Sequence, residues 1–291
     1  MTTHEDPWLA GKRLRGTLRK EREARGLTQR QAADALDWST SKVVRIEAGT
    51  VGVSTTDVQA LLRLYRVDGE AEAGRLVDLA RAARRRPWYS RYQQVLNPGF
   101  EQYLGYEGAA SAIMAFHPLT IPGPLQTEDY ARAILEASHA PDVDTRLELR
   151  LERQARMERD DRPFLRYIID EAALHRRVGG QLVMRDQLIQ LKKATSHPRV
   201  SLQVIPYAAG AHPSMTGSFT ILELGGDDDD VLYLESTQTS VTDRDDRTAV
   251  NSYRERFDQL SNISLPVGEA DELIDTLIIN LQDTAQAHEP R

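Results

Sequence analysis

Four polar side chains lie close together at helical spacing between residues 39 and 48, namely Thr40, Ser41, Lys42 and Arg45. Hydroxyl groups donate and accept hydrogen bonds, and an arginine can bind the O6 and N7 atoms of guanine or two oxygens of a phosphate. A short helix with these groups on one edge has the chemistry needed to read base edges in the major groove of DNA. The same side chains could also be only the solvent-exposed side of an ordinary helix, and the sequence leaves that alternative open.

Five short helical patterns, separated by small turns, surround these side chains. We predict helices over residues 12–25, 28–36, 39–48, 54–65 and 70–85. Gly26 is expected to end the first helix in a left-handed conformation, and Thr28 with Gln31 has the spacing of a capping box for the second. Ser39 begins the third helix and Gly49 ends it. The second and third helices are therefore joined by a tight turn.

The apolar sides of these helices predict one small core. Its expected members are Leu14, Leu18, Leu27, Ala32, Ala33, Leu36, Val43, Ile46, Val58, Leu61 and Leu62, with Trp38 at the edge. Packing of the second helix on the third through these residues would hold the polar edge of the third helix outward at a fixed angle, as base reading requires.

The run LRKEREARGLTQRQAADALDWSTSKVVRIEAGT resembles the xenobiotic-response-element (Xre) class of helix-turn-helix domains, which is related to Cro and phage repressors. The resemblance covers roughly residues 12–66. It implies that Thr40, Ser41 and Arg45 face the bases of an operator in double-stranded DNA. Lys42 would contact a base or a phosphate. Because arginine favours guanine, we predict a half-site that contains G.

The same resemblance assigns roles to three residues outside the base-reading edge. Gln29 would hold a phosphate with its side chain and its backbone N–H. Arg22 and Glu47 would form a partly buried ion pair that ties the first helix to the third, which is a structural role and not a base contact.

Two positions depart from this class. Asp37 stands in the turn where glycine is usual, but aspartate tolerates the left-handed conformation, so we expect the turn to survive. The loop after Gly49 reads Thr-Val-Gly-Val and lacks the usual cations. We therefore expect other cations to make the phosphate contacts, and the candidates are Lys12, Arg13, Arg15, Arg19, Lys20 and Arg30.

Charge is divided unevenly along the 291 residues, whose formal net charge is −7. Residues 1–88 carry 17 Lys and Arg against 12 Asp and Glu, whereas the remainder carries 20 against 32. A basic head on an acidic body fits a module that docks on a polyanion, although a charge run alone is often only a solvated surface.

The chain has no cysteine, which excludes disulfides and thiolate zinc sites. No apolar run is long enough for a signal peptide or a membrane span, so we expect a cytoplasmic protein without membrane contact.

Composition changes after Pro87, where aromatic and polar residues replace the basic helix. We predict two domains, a helix-turn-helix domain over residues 1–86 and a dimerisation and partner- or ligand-binding domain over 87–291. The expected fold class is α+β overall, with an all-α five-helix head and a mixed α/β C-terminal domain. In the second domain we predict helices over 100–116, from 127, and over 143–159, 181–194, 245–260 and 269–282. We predict strands over 164–169, 200–205, 218–224 and 231–234, with an acidic hairpin tip at 227–230.

The runs PWYSRYQQVLNPGFEQYLGYEGAA, IPGPLQTEDYARAIL and VIPYAAGAHPSMTGSFTILEL resemble an actinobacterial family in which an Xre head precedes a large uncharacterised domain. This resemblance implies an antitoxin-like regulator with a small protein partner that is encoded nearby. We also expect a homodimer, because operators are usually palindromic and one small head binds weakly. The apolar stripe on the last helix, from Leu273 to Leu281, could be core or a dimer contact.

Enzymatic activity is a weaker alternative. The histidines of the second domain are scattered and show no metal-ligand spacing; they are His117, His175, His197 and His212. Acidic residues at predicted strand ends could form a carboxylate site, and these are Asp170, Glu171, Glu223 and Glu235. No phosphate-binding loop or ordered nucleophile accompanies them. We therefore expect no enzyme, no cofactor and no metal.

The sequence thus favours a DNA-binding transcriptional regulator whose body dimerises and receives a protein partner or small ligand. The turns over residues 210–213 and 215–217 could shape a pocket or a docking edge, or could be a plain connecting loop. The main alternative is a protein-interaction module whose head does not bind DNA strongly, given the loop without cations. An enzyme with a DNA-targeting head is the third hypothesis.

Overall fold

The computed structural model describes residues 6–159, 162–225, 230–234, 240–242 and 247–286. The chain divides into two compact units. The N-terminal unit consists of residues 1–91 and 104–109, and the C-terminal unit consists of residues 92–103 and 110–291. The first is helical and the second contains a mixed sheet with helices, which confirms the α+β prediction.

Among the described residues, five helices lie wholly within the N-terminal unit, as predicted. They are α1 (Pro7–Ala24), α2 (Gln29–Ala35), α3 (Thr40–Ala48), α4 (Thr55–Leu64) and α5 (Glu70–Ala83). Helix α1 begins five residues earlier than expected, because Asp6 caps it by accepting the N–H of Trp8 at 2.9 Å and Pro7 occupies its first position. The apolar sides of the helices pack into one core around Leu14, Leu18 and Leu61. Trp38 lies at the edge of this core, as predicted.

In the part of the chain that the structure describes, seven further helices and six strands follow α5. The helices are α6 (Pro98–Glu107), α7 (Glu128–Ala137), α8 (Val143–Met157), α9 (Ala172–His175), α10 (Gln181–Thr195), α11 (Arg247–Ile263) and α12 (Val267–Gln286). The strands are β1 (Ala112–His117), β2 (Phe164–Asp170), β3 (Val200–Ile205), β4 (Phe219–Glu223), β5 (Val231–Leu234) and β6 (Ser240–Thr242). Short 3₁₀ helices span Trp88–Val95, Gly123–Leu125 and Tyr207–Ala209. Of the predicted hairpin tip at 227–230, only Asp230 lies within the described residues.

The prediction of one helix over residues 100–116 is wrong. Helix α6 ends at Glu107, and residues 112–117 form strand β1. Five consecutive residues of β1, Ala112 to Phe116, are buried. A strand that is covered on both faces shows no alternation of apolar and polar residues, so its sequence looks like a buried helical segment.

Strand β1 lies inside a six-stranded sheet with the order β3-β2-β1-β4-β5-β6. Strands β1, β2 and β3 are parallel, and the crossovers between them contain α7 with α8 and α9 with α10. Strands β4, β5 and β6 continue the sheet in antiparallel pairs. The register places Phe116 opposite Ile168 on one side and Phe219 on the other.

The two faces of the sheet have different partners within the C-terminal unit. On one face, Met114 and Phe116 of β1 pack with Phe257 and Leu260 of α11 in an apolar core. The alternate residues of β1 point to the opposite face, toward α8. Helix α12 packs on α10, and its stripe is buried at Ile274 and Leu281, as expected of core. Within the described residues, no helix is both long and apolar enough to cross a lipid bilayer.

Candidate nucleic-acid interface

A tight turn sets the angle between α2 and α3. Thr28 and Gln31 form the predicted capping box at the start of α2. Asp37 adopts a left-handed conformation with φ of 55°, which is the conformation that the glycine usual at this position would supply. Ser39 then caps α3 by accepting the N–H of Lys42 at 3.3 Å. Local hydrogen bonds therefore define where both helices begin.

One face of α3 is exposed along its whole length. It consists of Thr40, Ser41, Val44, Arg45 and Ala48, which recur at the spacing of one helix face. The opposite face is buried through Val43 and Ile46. Arg45 lies on the exposed face, and its Nε donates to the carbonyl of Ser41 at 3.2 Å. We call the five exposed residues the reading face.

Val44 is assigned no role from the sequence, because it belongs neither to the predicted core nor to the polar edge of α3. It is 40% exposed, between Ser41 and Arg45 on the reading face. An exposed aliphatic side chain at this position can contact the methyl group of thymine, the apolar feature of the major groove.

A network of buried side chains ties α1 to α3. Arg22 donates to Glu47 through Nε at 2.7 Å and through Nη2 at 3.0 Å, and also to the carbonyl of Leu27 at 2.6 Å. The Arg22 and Glu47 side chains are only 7% and 5% exposed. The hydrogen bonds with Glu47 raise the pKa of Arg22, and burial together with Glu47 raises the pKa of Tyr65 to about 12. The predicted pair is thus brought together as a bidentate contact.

Gln29 joins the same network. Its Nε2 atom donates to Oε2 of Glu47 at 2.9 Å. The side chain predicted to hold a phosphate is therefore engaged within the protein. Because Gln29 is the first residue of α2, its backbone N–H belongs to the helix N-terminus, where such groups suit an anion.

Lys42 points away from the reading face. Its ammonium donates to Asp57 of α4 at 2.7 Å and lies 3.6 Å from the centre of the Trp38 ring. Burial alone would raise the pKa of Asp57, but hydrogen bonds from Lys42 and Ser54 outweigh it, and the pKa is lowered. In this structure the Lys42 side chain, which is predicted to contact DNA, binds Asp57 and so connects α3 with α4.

Two of the other predicted phosphate-binding cations are also engaged within the N-terminal unit. Lys12 lies over the rings of Trp8 and Tyr106 and donates to the Tyr106 hydroxyl. Arg15 packs against the end of α3, where a Cβ added at Gly49 would lie 2.6 Å from its Cζ atom. Burial lowers the pKa of Arg15.

The remaining predicted cations are more accessible, except for Arg13, which is half-buried. Lys20 and Arg30 are exposed, and Arg30 lies 3.9 Å from Asp34 one turn later on α2. Arg19 is exposed and pairs with Glu23 at 2.9 Å. Arg30 is the one of these that adjoins the N-terminus of α2.

Of the carboxylates considered for catalysis, Asp170 and Glu171 adjoin each other at the end of β2, whereas Glu223 lies at the end of β4. Asp170 lies 3.3 Å from Nε2 of His212, whose Nδ1 accepts the backbone N–H of Ser214. Glu171 contacts His175 at 3.0 Å, and Glu223 pairs with Arg254 on α11. Glu235 lies outside the described residues. In the described part of the chain, no group of three or more His, Asp or Glu is arranged to hold a metal ion.

Comparison with known proteins adds two matches. A family model described as a helix-turn-helix domain matches residues 13–76, which include α2, α3 and the reading face. A family model described as a domain of unknown function (DUF5753) matches residues 100–276. No curated protein and no solved structure matches the chain.

Proposed function

Because the chain belongs to the family with the domain of unknown function DUF5753 and carries a helix-turn-helix domain before it, we propose that it is a sequence-specific DNA-binding transcriptional regulator. The observation that carries this proposal is the reading face of α3. Its hydroxyls, its exposed valine and Arg45 together offer the donor, acceptor and methyl contacts that distinguish base pairs in the major groove.

The proposal gives the engaged residues a role distinct from base reading. Arg22, Glu47 and Gln29 hold α3 against α1 and α2, and Lys42 holds it against α4. A helix that is anchored on its rear face presents the front face without further reorganisation, which lowers the entropic cost of binding. The N–H groups at the start of α2, with Arg30 beside them, supply the contacts to the DNA backbone.

The finer proposal is an Xre-class regulator of the antitoxin-like kind, which controls its own operon in the cytoplasm. It rests on the resemblance of residues 12–66 to Xre domains and on the three runs of the C-terminal part. In this proposal the C-terminal unit is not an enzyme. It dimerises two heads on a palindromic operator and receives a small ligand or a protein partner encoded nearby.

The replacement of Arg45 by alanine tests base reading. The full-length protein first selects its operator from random DNA. On that operator, Arg45→Ala should weaken binding about 5- to 150-fold for each head that reads a guanine, because one bidentate arginine–guanine contact contributes ~1–3 kcal/mol. Binding to random DNA of the same length should change far less. Both affinities are measured by fluorescence anisotropy at one fixed salt concentration.

Two exposed arginines serve as matched controls. Arg30→Ala should weaken binding to operator and random DNA by the same factor, as expected for a phosphate contact. Arg75, which pairs with Glu72 on α5, should have little effect when changed to alanine. If Arg45→Ala also weakened both DNAs equally, base reading by Arg45 would be ruled out.

The second candidate function is a protein-interaction module whose head does not bind DNA strongly. It is favoured by the segment 50–53, which has no cation, and by Lys42, whose ammonium is held by Asp57 and Trp38. Specific DNA binding has a steep salt dependence, because phosphate contacts release counterions. A full-length protein that selects no sequence and shows no salt-dependent binding, yet binds the product of a neighbouring gene, would establish this second function.

A further inference from the structure

A partly enclosed cavity of about 220 Å³ lies in the C-terminal unit, between the sheet and α8. The face of the sheet opposite α11 forms its floor, through Ile113, Ala115, Tyr167, Thr220 and Tyr233. Alternation along β1 explains this arrangement, since successive side chains of a strand point to opposite faces. Residues 206–218, which connect β3 to β4, do not line this cavity.

Helix α8 contributes the charge of the cavity. Arg146, Arg150 and Arg153 line it together with Leu149, and these positions are spaced as one face of a helix. All three arginines are half-buried. None of the described lining residues is acidic. The described wall thus concentrates three guanidinium groups, each of which can bind a carboxylate or phosphate in a bidentate manner.

The remaining walls are mixed in character, with both apolar and polar groups. A segment with Pro118, Pro122 and Pro124 forms one side, and it is fixed to α8 because Gln154 donates to the carbonyls of Gly123 at 2.8 Å and Gln126 at 2.9 Å. Apolar and aromatic side chains complete the enclosure, namely Val95, Phe100, Tyr103, Ile121, Ile134 and Leu135. Such a mixture of apolar surface with a few converging polar groups is typical of small-molecule sites.

Hydrogen bonds and packing position Arg150 and Arg153. The Nη2 atom of Arg153 donates to the hydroxyl of Tyr103 at 3.0 Å, and Nη1 of Arg150 donates to Gln126. A Cβ added at Gly123 would lie 3.4 Å from Nη1 of Arg153, so the guanidinium packs directly on the backbone there. Burial, with a contribution from Arg153, lowers the pKa of His117 on the cavity wall to about 4. The imidazole is therefore neutral at pH 7 and offers hydrogen bonds to a ligand without adding charge.

We propose that this cavity binds a small organic acid, whose carboxylate or phosphate is held by Arg146, Arg150 and Arg153 and whose apolar body lies against the aromatic floor. The inference deepens the ligand-receiving part of the proposed function. A free inorganic anion would leave the apolar walls uncovered, and an organic cation would face three positive charges. An organic anion can bind the arginines with its charged group and cover the apolar walls with its hydrocarbon part.

Isothermal titration calorimetry of the full-length protein without DNA tests the site. The probes are benzoate and phenyl phosphate, with benzyl alcohol and benzylamine as neutral and cationic counterparts and inorganic phosphate as the anion alone. We expect an acid to bind at least about tenfold more tightly than benzyl alcohol or benzylamine, because a charge-assisted hydrogen bond contributes ~1.5–3 kcal/mol. Inorganic phosphate should also bind at least about tenfold more weakly than the acid, because it buries no apolar surface against the cavity walls.

Variants on α8 locate the binding. Arg146→Gln and Arg150→Gln should each weaken acid binding about tenfold or more, and Arg153→Lys should weaken it less than Arg153→Gln, since lysine retains the charge but not the bidentate fork. Arg156, which pairs with Glu152 on the same helix and does not line the cavity, gives the matched control Arg156→Gln with unchanged binding. Thermal unfolding confirms that each variant is folded.

Three results would overturn the inference. The first is that neither acid gives binding heat with folded wild-type protein. The second is that benzyl alcohol binds as tightly as the acids. The third is that Arg146→Gln and Arg150→Gln leave the affinity for the acids unchanged. The operator affinity is measured in a separate titration. Acid binding by a protein that binds no operator would leave the cavity assignment standing and reject the regulator, and the reverse pattern would reject only the cavity assignment.

Discussion

At the scale of single residues, the polar side chains around α3 divide into those that hold the helix and those that it presents. Glu47 accepts hydrogen bonds from both Arg22 and Gln29, and Lys42 is held by Asp57. The side chain of Arg45, by contrast, is exposed, and within the described residues it donates one hydrogen bond, to the carbonyl of Ser41 on the same helix. The resemblance separates Arg22 and Glu47 from the base-reading residues, but it assigns Lys42 and Gln29 to DNA, and only the structure shows their side chains bound to Asp57 and Glu47.

This division predicts a large effect of Glu47→Ala on stability. Removal of Glu47 leaves the buried guanidinium of Arg22 without its bidentate partner, and breaking a buried ion pair typically costs about 3–5 kcal/mol. Glu23 is the matched control, because it also contacts Arg22 but is 52% exposed, so Glu23→Ala should cost less than about 1 kcal/mol. Urea denaturation of each variant measures the difference, and equal destabilisation would show that the buried network does not anchor α3.

At the scale of elements, the N-terminal helices were predictable because their ends carry local signals. Thr28, Ser39 and Gly49 mark helix boundaries by hydrogen bonds and backbone conformation that depend only on near neighbours. Strand β1 was missed, because α11 and α8 lie over its two faces and β2 and β4 pair with its edges, and all of these elements are distant from it in sequence. Tertiary packing determines whether such a segment becomes a strand or a helix, and the local sequence pattern does not reveal that packing.

The candidate sites show the same contrast between local signals, which the sequence reveals, and contacts between distant segments, which it does not. The polar edge at Thr40, Ser41 and Arg45 could be predicted from the helix period alone, whereas the contact of Lys42 with Asp57 spans 15 residues and required the structure. The arginines of α8 resemble a solvated helix face in the sequence. Only the sheet on the other side of them, which is assembled from strands far apart in the chain, makes that face a cavity wall.

The end of α3 provides a prediction at this scale. Gly49 has φ of 75° and packs against Arg15, so Gly49→Ala combines backbone strain with a steric clash. We expect a loss of about 1–3 kcal/mol in the free energy of unfolding. Gly52, three residues later, is the matched control, since a Cβ there would meet no atom within 4 Å, and Gly52→Ala should be close to neutral. Urea denaturation compares the two, and a neutral Gly49→Ala would contradict the role of Gly49 as the cap.

At the scale of the whole molecule, charge and symmetry are the arguments that bear on DNA binding. Residues 1–88 have a net charge of +5, and the remaining residues have −12. The basic segment attracts phosphates, but the acidic remainder opposes the approach of any polyanion. Because residues 50–53 contain no cation, we expect one head to make few phosphate contacts, and tight binding is expected to need two heads on one DNA molecule.

The proposed dimer makes this expectation measurable with the full-length protein. On an operator with two half-sites, scrambling one half-site should weaken binding about 100-fold or more, because the second contact in a dimer is intramolecular. Insertion of about five base pairs between intact half-sites is the matched control, since it keeps every base but turns one half-site by about half a helical turn, and it should weaken binding as much as scrambling does. Sedimentation equilibrium at the same protein concentration should give the mass of two chains. A twofold effect of scrambling, with the mass of a single chain, would show instead that each head binds its half-site independently.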